Sequence, residues 1–136
     1  MADTFQLEIV TPEKMVVKES AEEAQIPGKQ GYLGILPGHA PLITELAVGE
    51  ISYRAGGITH HLAVAWGFAE VLPDKVTILA ETAERPQEID VKRAEQAKVK
   101  AEELLKTGKT EEDFTKAEGQ LQRAETRLAV AKESDK

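Results

Sequence analysis

The stretch Gly31–Leu42, GYLGILPGHAPL, is the most distinctive segment of this 136-residue chain. It sets three glycines and two prolines among apolar residues. Glycine adopts backbone angles that are closed to other residues, and proline fixes φ and forbids helix. The apolar residues Tyr32, Leu33 and Ile35 carry enough surface to pack against another element. The composition predicts a rigid, packed turn system rather than a flexible connector.

Short alternating segments surround this stretch. Phe5, Leu7 and Ile9 alternate with polar residues, so they share one face of a strand. Glycine and proline turn signals separate most of the other candidate strands, which are Met15–Val17, Ala24–Ile26, Leu42–Leu46, Ile51–Arg54, Ile58–Val64, Phe68–Leu72 and Val76–Leu79. Many short strands with regular turns predict an antiparallel β-sandwich or barrel.

The composition changes near residues 85–88. All six prolines and eight of the ten glycines lie at or before Pro86, and the remainder is rich in Ala, Glu, Lys, Leu and Arg. These residue types favour helix. We therefore predict two domains, a β-sandwich over residues 1–86 and a helical part over residues 87–136.

Two helices are predicted after the boundary. Asp90 is a candidate N-cap for the first helix, Gly108 ends it, and Thr110 with Asp113 forms an approximate capping box for the second. Apolar residues recur at helical spacing at Val91, Ala94, Ala97, Ala101, Leu104, Leu105, Phe114, Ala117, Leu121, Ala124, Leu128 and Ala131. A short loop between two such helices predicts an antiparallel hairpin.

The seam of the hairpin is mostly alanine, which buries little surface. Its net contribution to stability should be only a few kcal/mol, at roughly 25 cal/mol per Å² less the cost of ordering. Two interpretations remain open on the residues alone. The hairpin either opens and lays its helices on another protein, or stays permanently closed.

The charge and composition exclude several function classes. The net charge of −7 argues against nucleic acid as a partner. The absence of Cys removes disulfides and thiolate metal sites and fits a reducing compartment. No signal peptide and no apolar run of roughly 20 residues is found, so we expect membrane association only through partners.

Neither a catalytic residue nor a metal site is predicted. There is no GxxxxGK[ST] loop for ATP hydrolysis, and the segment Gly28–Gly31 is too short to be one. His60 and His61 are adjacent on a probable strand, so they point to opposite faces and make a poor chelating pair. We expect a protein that binds and does not catalyse.

A mainly basic stripe lies on the second helix. Lys116, Gln120, Arg123 and Arg127 follow one another at steps of four, three and four residues, beside the apolar seam. Such a stripe suits an anionic partner, either a nucleoside triphosphate or an acidic protein surface. A solvated helix face is the alternative interpretation.

The GYLGILPGHAPL stretch closely resembles a signature of one family, the epsilon subunits of F-type ATP synthases of the bacterial and chloroplast type, which typically carry LGI-PGHAPL here. The resemblance extends from Phe5 to Lys132. It implies an antiparallel β-sandwich with a C-terminal two-helix hairpin. It also implies a non-catalytic rotor subunit of the central stalk, which couples proton flow to ATP synthesis and restrains ATP hydrolysis through a mobile hairpin.

The partners that this resemblance implies are the gamma subunit, the c-ring and the catalytic alpha and beta subunits. The implied location is peripheral, on the cytoplasmic face of the bacterial plasma membrane. Tyr32 and His39 become interface candidates of the sandwich, with core packing as the alternative role of the signature stretch. In an extended hairpin, Lys116 and Lys132 would join the two arginines against an acidic segment of a beta subunit.

The segment Ile89–Ala94, IDVKRA, resembles the I/L-D-x-x-R-A motif with which some bacterial epsilon subunits bind ATP. Arg123 and Arg127 match the two arginines that such subunits supply from the second helix. The resemblance implies that these two and Arg93 contact phosphates. It places Asp90 and Glu84 on the nucleoside side or in a role that orients the arginines. ATP would then be a regulatory ligand, and no cofactor is required.

Two points stay open at the level of sequence. A stand-alone nucleotide sensor or a protein-interaction adaptor is the alternative to a rotor subunit. Trp66 departs from the small residue that many relatives carry before Gly67. It belongs to an interface if it is exposed and to the core if it is buried.

Overall fold

The computed structural model describes residues 3–133, and it confirms a β-sandwich followed by two helices. The strands are β1 Phe5–Val10, β2 Met15–Ala21, β3 Glu23–Gly28, β4 Gly31–Ile35, β5 Leu42–Leu46, β6 Gly49–Ala55, β7 Ile58–Val71 and β8 Lys75–Glu84. After a 3₁₀ turn at Pro86–Glu88 come the helices α1 Val91–Thr107 and α2 Glu111–Ala131.

The long strand β7 connects the two layers of the sandwich. Its residues 58–64 pair with β6, which pairs in turn with β3. Its residues 67–71 pair with β5, and β8 runs along the strand from residue 63 to residue 71. The strands follow one another as β2-β1-β8-β7-β5-β3-β4, with β6 bridging β3 and β7. A bend at Trp66 and Gly67 separates the two halves of β7.

The core lies between the layers and consists of the alternate residues of the strands. In β1 the side chains of Phe5, Leu7 and Ile9 are buried, as the alternation predicts. The other fully buried large side chains come from both layers and include Ile26, Ile35, Ile51, Tyr53, Leu62, Val71, Val76 and Ile78. Each buried aliphatic side chain contributes about 1.5–3 kcal/mol, so this core holds the sandwich together.

Three details differ from the sequence prediction. The first part of the signature stretch is not a turn but strand β4, because it pairs with β3 from Ala24–Ile35 to Gly28–Gly31. The two strands predicted at 58–64 and 68–72 are one bent strand. The pairing of β1 with β8 is parallel, and these strands are the first and the last of the sandwich.

The predicted helix ends are confirmed. Asp90 caps α1 by accepting a hydrogen bond from the Arg93 amide at 3.1 Å, and Thr110 caps α2 by accepting one from the Asp113 amide at 3.1 Å. Gly108 ends α1 with ordinary backbone angles. Its need for glycine is spatial, because an added Cβ would lie 2.7 Å from the Leu104 carbonyl oxygen.

The helices form the predicted hairpin, with alanine at its centre. Ala94, Ala101, Ala117 and Ala124 are buried, so the two backbones approach closely. Phe114 was predicted in this seam, but it is 40% exposed near the loop end of the hairpin.

A second contact surface of α2 faces the sandwich and was not predicted. There Val130 is fully buried against Ala63 of β7 and Ile89 of the linker. Nearer the loop end of the helix, the Gln122 side chain donates a hydrogen bond to the Val48 carbonyl oxygen at 3.3 Å. The hairpin therefore rests on the outer face of the sandwich.

A polar network holds the linker to the sandwich. The Arg85 guanidinium donates to the Tyr53 hydroxyl at 3.3 Å, and that hydroxyl donates to Glu19 at 2.5 Å. Burial, together with the Glu19 bond, raises the pKa of Tyr53 to about 12. Glu88 accepts from the Arg85 amide at 3.0 Å and contacts Lys14 at 3.2 Å. The Arg85 amide is the main reason that the pKa of Glu88 lies below its usual value.

We expect Gly67→Ala to lower the free energy of unfolding by about 2–5 kcal/mol. Gly67 has a φ of 135°, and an added Cβ would overlap the Leu79 carbonyl oxygen and lie 2.9 Å from Ala80 Cα. Gly34→Ala is the matched control in a strand, since a Cβ there meets nothing within 4 Å. Urea denaturation of the full chain compares the two. Equal losses would show that the bend does not require glycine.

We expect Glu88→Gln to lower stability at neutral pH and to have no effect in acid. Because the folded pKa of Glu88 is below the usual 4.5, the unfolded state binds more protons as the pH falls. The contribution is present above pH 4.5 and is lost as the pH falls through the folded pKa. Urea denaturation of both chains between about pH 3 and pH 7 measures the difference. A difference that persists at the lowest pH would contradict this origin.

Candidate functional site

A basic cleft of about 430 Å³ lies between α1 and α2 beside the end of β8. Its volume is within the range of small-molecule sites, roughly 300–1,000 Å³. Four cationic side chains and one carboxylate are among its lining residues, which are Glu84, Arg93, Ala97, Lys100, Gln120, Arg123, Ala124 and Arg127. The cleft is therefore positive, although the chain as a whole is acidic, and it suits an anionic ligand.

The carboxylate of Glu84 and the guanidinium of Arg127 form a two-pronged ion pair. Arg127 donates from Nε to Oε1 at 2.7 Å and from Nη2 to Oε2 at 3.0 Å. Both side chains are largely covered, with 15% and 25% exposure for Arg127 and Glu84. Because Glu84 ends β8 and Arg127 belongs to α2, the pair ties the hairpin to the sandwich and fixes the direction of the Arg127 side chain.

Arg123 lies one turn before Arg127 on α2. Its Nε is buried and has no hydrogen-bond partner among the described residues. A buried donor without a partner costs about 1–3 kcal/mol. Arg123 also lines the cleft, where its guanidinium adds a second positive charge beside that of Arg127.

The structure separates the remaining predicted ligands. Arg93, in the first turn of α1, lines the cleft opposite the two arginines of α2. Asp90 does not line the cleft, and its carboxylate is engaged as the cap of α1. Of the five predicted ATP ligands, Glu84, Arg93, Arg123 and Arg127 thus meet around one space.

Lys100 is a residue of the cleft that the sequence interpretation missed. It follows Arg93 by two helical turns, so it lies on the same face of α1. That spacing could have identified it.

The four predicted interface residues all reach the surface. Tyr32 lies on β4 with 59% exposure, and its hydroxyl accepts from the Glu50 amide at 3.0 Å. His39 lies in the turn after β4, with Nδ1 2.6 Å from the Ala40 carbonyl oxygen. Lys116 is exposed on α2, and Lys132 is exposed at its end. No structural feature tests their partners, so their roles stay predictions.

The histidines are engaged within the sandwich. His60 stacks on the Tyr53 ring at 4.9 Å, and His61 lies 2.5 Å from the Glu50 carboxylate. Within residues 3–133, no three His, Asp or Glu side chains are grouped so that they could hold a metal ion. No helix in that range is long and apolar enough to cross a membrane.

We expect the Glu84–Arg127 pair to couple by about 1–2 kcal/mol in a double-mutant cycle, between the values for exposed and buried ion pairs. Glu84→Gln should cost stability because it leaves the covered guanidinium of Arg127 without its partner. Arg127→Gln should cost little more once Glu84 is replaced. Urea denaturation of the two single variants and the double variant measures the coupling. Additive losses would mean that the pair does not hold the hairpin.

Two family models match the chain. The ATP synthase delta/epsilon chain β-sandwich domain matches residues 4–86, and the delta/epsilon chain long α-helix domain matches residues 87–132. The chain also shares its fold with a subunit of the Euglena gracilis mitochondrial ATP synthase. That match has a TM-score of 0.83 and 23% identity, and it covers 96% of this chain and 82% of the other.

Curated relatives carry the same description. The ATP synthase epsilon chain of Koribacter versatilis is 74% identical over 107 residues, which are 79% of this chain and 75% of the relative. That of Syntrophobacter fumaroxidans is 48% identical over 134 residues, covering 98% of this chain and 100% of the relative. These similarities confirm the resemblance that the Gly31–Leu42 signature indicated. The chain therefore belongs to the ATP synthase delta/epsilon chain family.

Proposed function

We propose that this chain is the epsilon-type rotor subunit of an F-type ATP synthase, and that ATP in the basic cleft favours the hairpin state seen here. The observation that carries the ATP assignment is the convergence of four cationic side chains from α1 and α2 on one cleft. The family supplies the setting, since its epsilon chains are non-catalytic subunits of the synthase.

The sandwich is the part that joins the rotor. The surface of the three adjacent strands β5, β7 and β8 carries exposed apolar side chains. Phe68 of β7 lies opposite Leu79 of β8 and diagonal to Ile43 of β5. Their exposure is 54%, 55% and 70%. Three large apolar side chains together on one face are typical of a protein contact. We assign this face to the gamma subunit and the end with Tyr32 and His39 to the c-ring side.

The cleft links three elements through charge. Arg93 and Lys100 come from α1, Arg123 and Arg127 come from α2, and Glu84 connects Arg127 to β8. A triphosphate bound among these side chains would offset their mutual repulsion and join both helices. A ligand that binds only this arrangement shifts the equilibrium toward it.

The released hairpin is the inhibitory state. Its two arginines would then be free of the cleft, and together with Lys116 and Lys132 they would meet an acidic segment of a catalytic beta subunit. Low ATP would favour this state, so hydrolysis would be restrained when ATP is scarce. The complex would hold the chain at the cytoplasmic face of the bacterial plasma membrane.

We expect Arg123→Gln and Arg127→Gln each to weaken ATP binding by about 10–100-fold, because each removes charge-assisted hydrogen bonds of about 1.5–3 kcal/mol. Lys109→Gln is the control, since it removes one positive charge from the loop between the helices. Isothermal titration calorimetry measures the ATP affinity of the unmodified chain and of each variant. Unchanged affinity in both arginine variants would reject the cleft as the ATP site.

The same variants distinguish a rotor subunit from a stand-alone sensor. Added to a matching alpha/beta/gamma complex, both arginine variants should inhibit ATP hydrolysis less than the unmodified chain, and the inhibition should respond less to ATP. Co-elution of the chain with the gamma subunit is the accompanying test of assembly. ATP binding without co-elution would favour the sensor.

A further inference from the structure

Trp66 has an unusual backbone at the bend of β7. Its φ is 51°, and it is the one non-glycine residue within residues 3–133 with a positive φ. A bulky residue rarely occupies this left-handed region. The pairing of β7 with β8 keeps one register on both sides of this residue, from Ala65–Thr82 to Gly67–Ala80. Trp66 lies between these two pairs, and its positive φ turns its side chain away from the direction that a regular strand residue would take.

The indole of Trp66 is directed onto α2 at Gly119. A Cβ added to Gly119 would lie 3.8 Å from Trp66 Cζ2, which is ordinary van der Waals contact. Glycine inside a helix is locally unfavourable, as is a left-handed tryptophan in a strand. Two residues that are each unfavourable in their own element therefore meet where α2 faces the sandwich. Trp66 retains 40% exposure, so one part of the ring is covered and another is open.

Gly119 belongs to the stripe of α2 that faces the sandwich. Gln122, which bonds the Val48 carbonyl, follows it by three residues, and Val130, which packs on Ile89, lies two helical turns further. Val130 is at the linker end of this stripe and Gly119 is toward the loop end. A hairpin that swings away about its linker must break the contact between Trp66 and Gly119.

We propose that Trp66 and Gly119 form a latch that favours the docked hairpin without any nucleotide. The flat surface at Gly119 admits the indole, and a side chain larger than alanine at this position would push the helix away. The latch adds a contact that does not depend on charge to the Glu84–Arg127 ion pair. This inference rests on the proposed release of the hairpin and concerns what opposes that release.

Transient release of the hairpin from the sandwich can be measured with one engineered thiol. The chain contains no Cys, so no other thiol would react. Ala63 is buried beneath Val130, so Ala63→Cys places a thiol that reacts only when the hairpin lifts. When closing is fast, the labelling rate is proportional to the population of the open state. Global unfolding, measured by urea denaturation of the same chain, gives the rate expected without separate release.

The variants are Gly119→Ala, which fits beside the indole, and Gly119→Ile. A β-branched side chain has one strongly preferred rotamer in a helix, so isoleucine cannot turn freely away from the ring. Each is made with Trp66 present and with Trp66→Gly, which removes the indole and accepts the positive φ. Helix propensity cancels in this comparison, and the coupling reports the contact.

With Trp66 present, we expect Gly119→Ile to accelerate labelling by about tenfold or more relative to Gly119→Ala. With Trp66→Gly, both should label within about twofold of each other, the difference set by helix propensity. Trp66→Gly alone should also accelerate labelling. Equal effects of Gly119→Ile in both backgrounds would overturn the latch. Labelling that occurs only at the rate of global unfolding would instead reject the proposed release itself.

Discussion

The bend of β7 at Trp66 and Gly67 is the constraint on which the rest of the structure depends. Gly67 has no room for a side chain beside Leu79 and Ala80, and its φ of 135° is open only to glycine. This bend lets one strand pair with β6 in its first half and with β5 in its second. The sandwich can therefore close around one core, and the same bend turns Trp66 outward onto α2.

Much of the architecture follows from local rules that act within a few residues. The alternation in β1 gave its buried face, and the capping residues Asp90 and Thr110 gave the helix starts, because each rule depends only on neighbours. The strand at Gly31–Ile35 did not follow, since glycine signals turns whereas pairing with β3 depends on residues elsewhere in the fold. The parallel pairing of β1 with β8 is a long-range choice of the same kind.

The same distinction between local patterns and long-range contacts applies to the candidate site. Helical spacing placed Arg123 beside Arg127, and the same periodicity would have added Lys100 to Arg93. Helical spacing could not show that Glu84 forms an ion pair with Arg127, because these residues meet only when α2 lies on the sandwich. Nor could it show that Val130 packs on Ile89, since the seam between the helices accounted for the other apolar positions. Contacts between the two domains are the part that sequence patterns do not contain.

The docked hairpin is stabilised by weak contacts that are opposed by unfavourable interactions. The alanine seam and the small patch around Val130 bury little apolar surface, and the Glu84–Arg127 pair must overcome the desolvation of both charges. Against these contributions stand the crowding of cationic side chains in the cleft and the unsatisfied Nε of Arg123. An anion in the cleft would offset the repulsion among these cations, whereas it would gain little from a hairpin whose helices had separated. A ligand can shift a conformational equilibrium only by its difference in affinity for the two states, and the grouping of cations from both helices in the docked hairpin provides that difference.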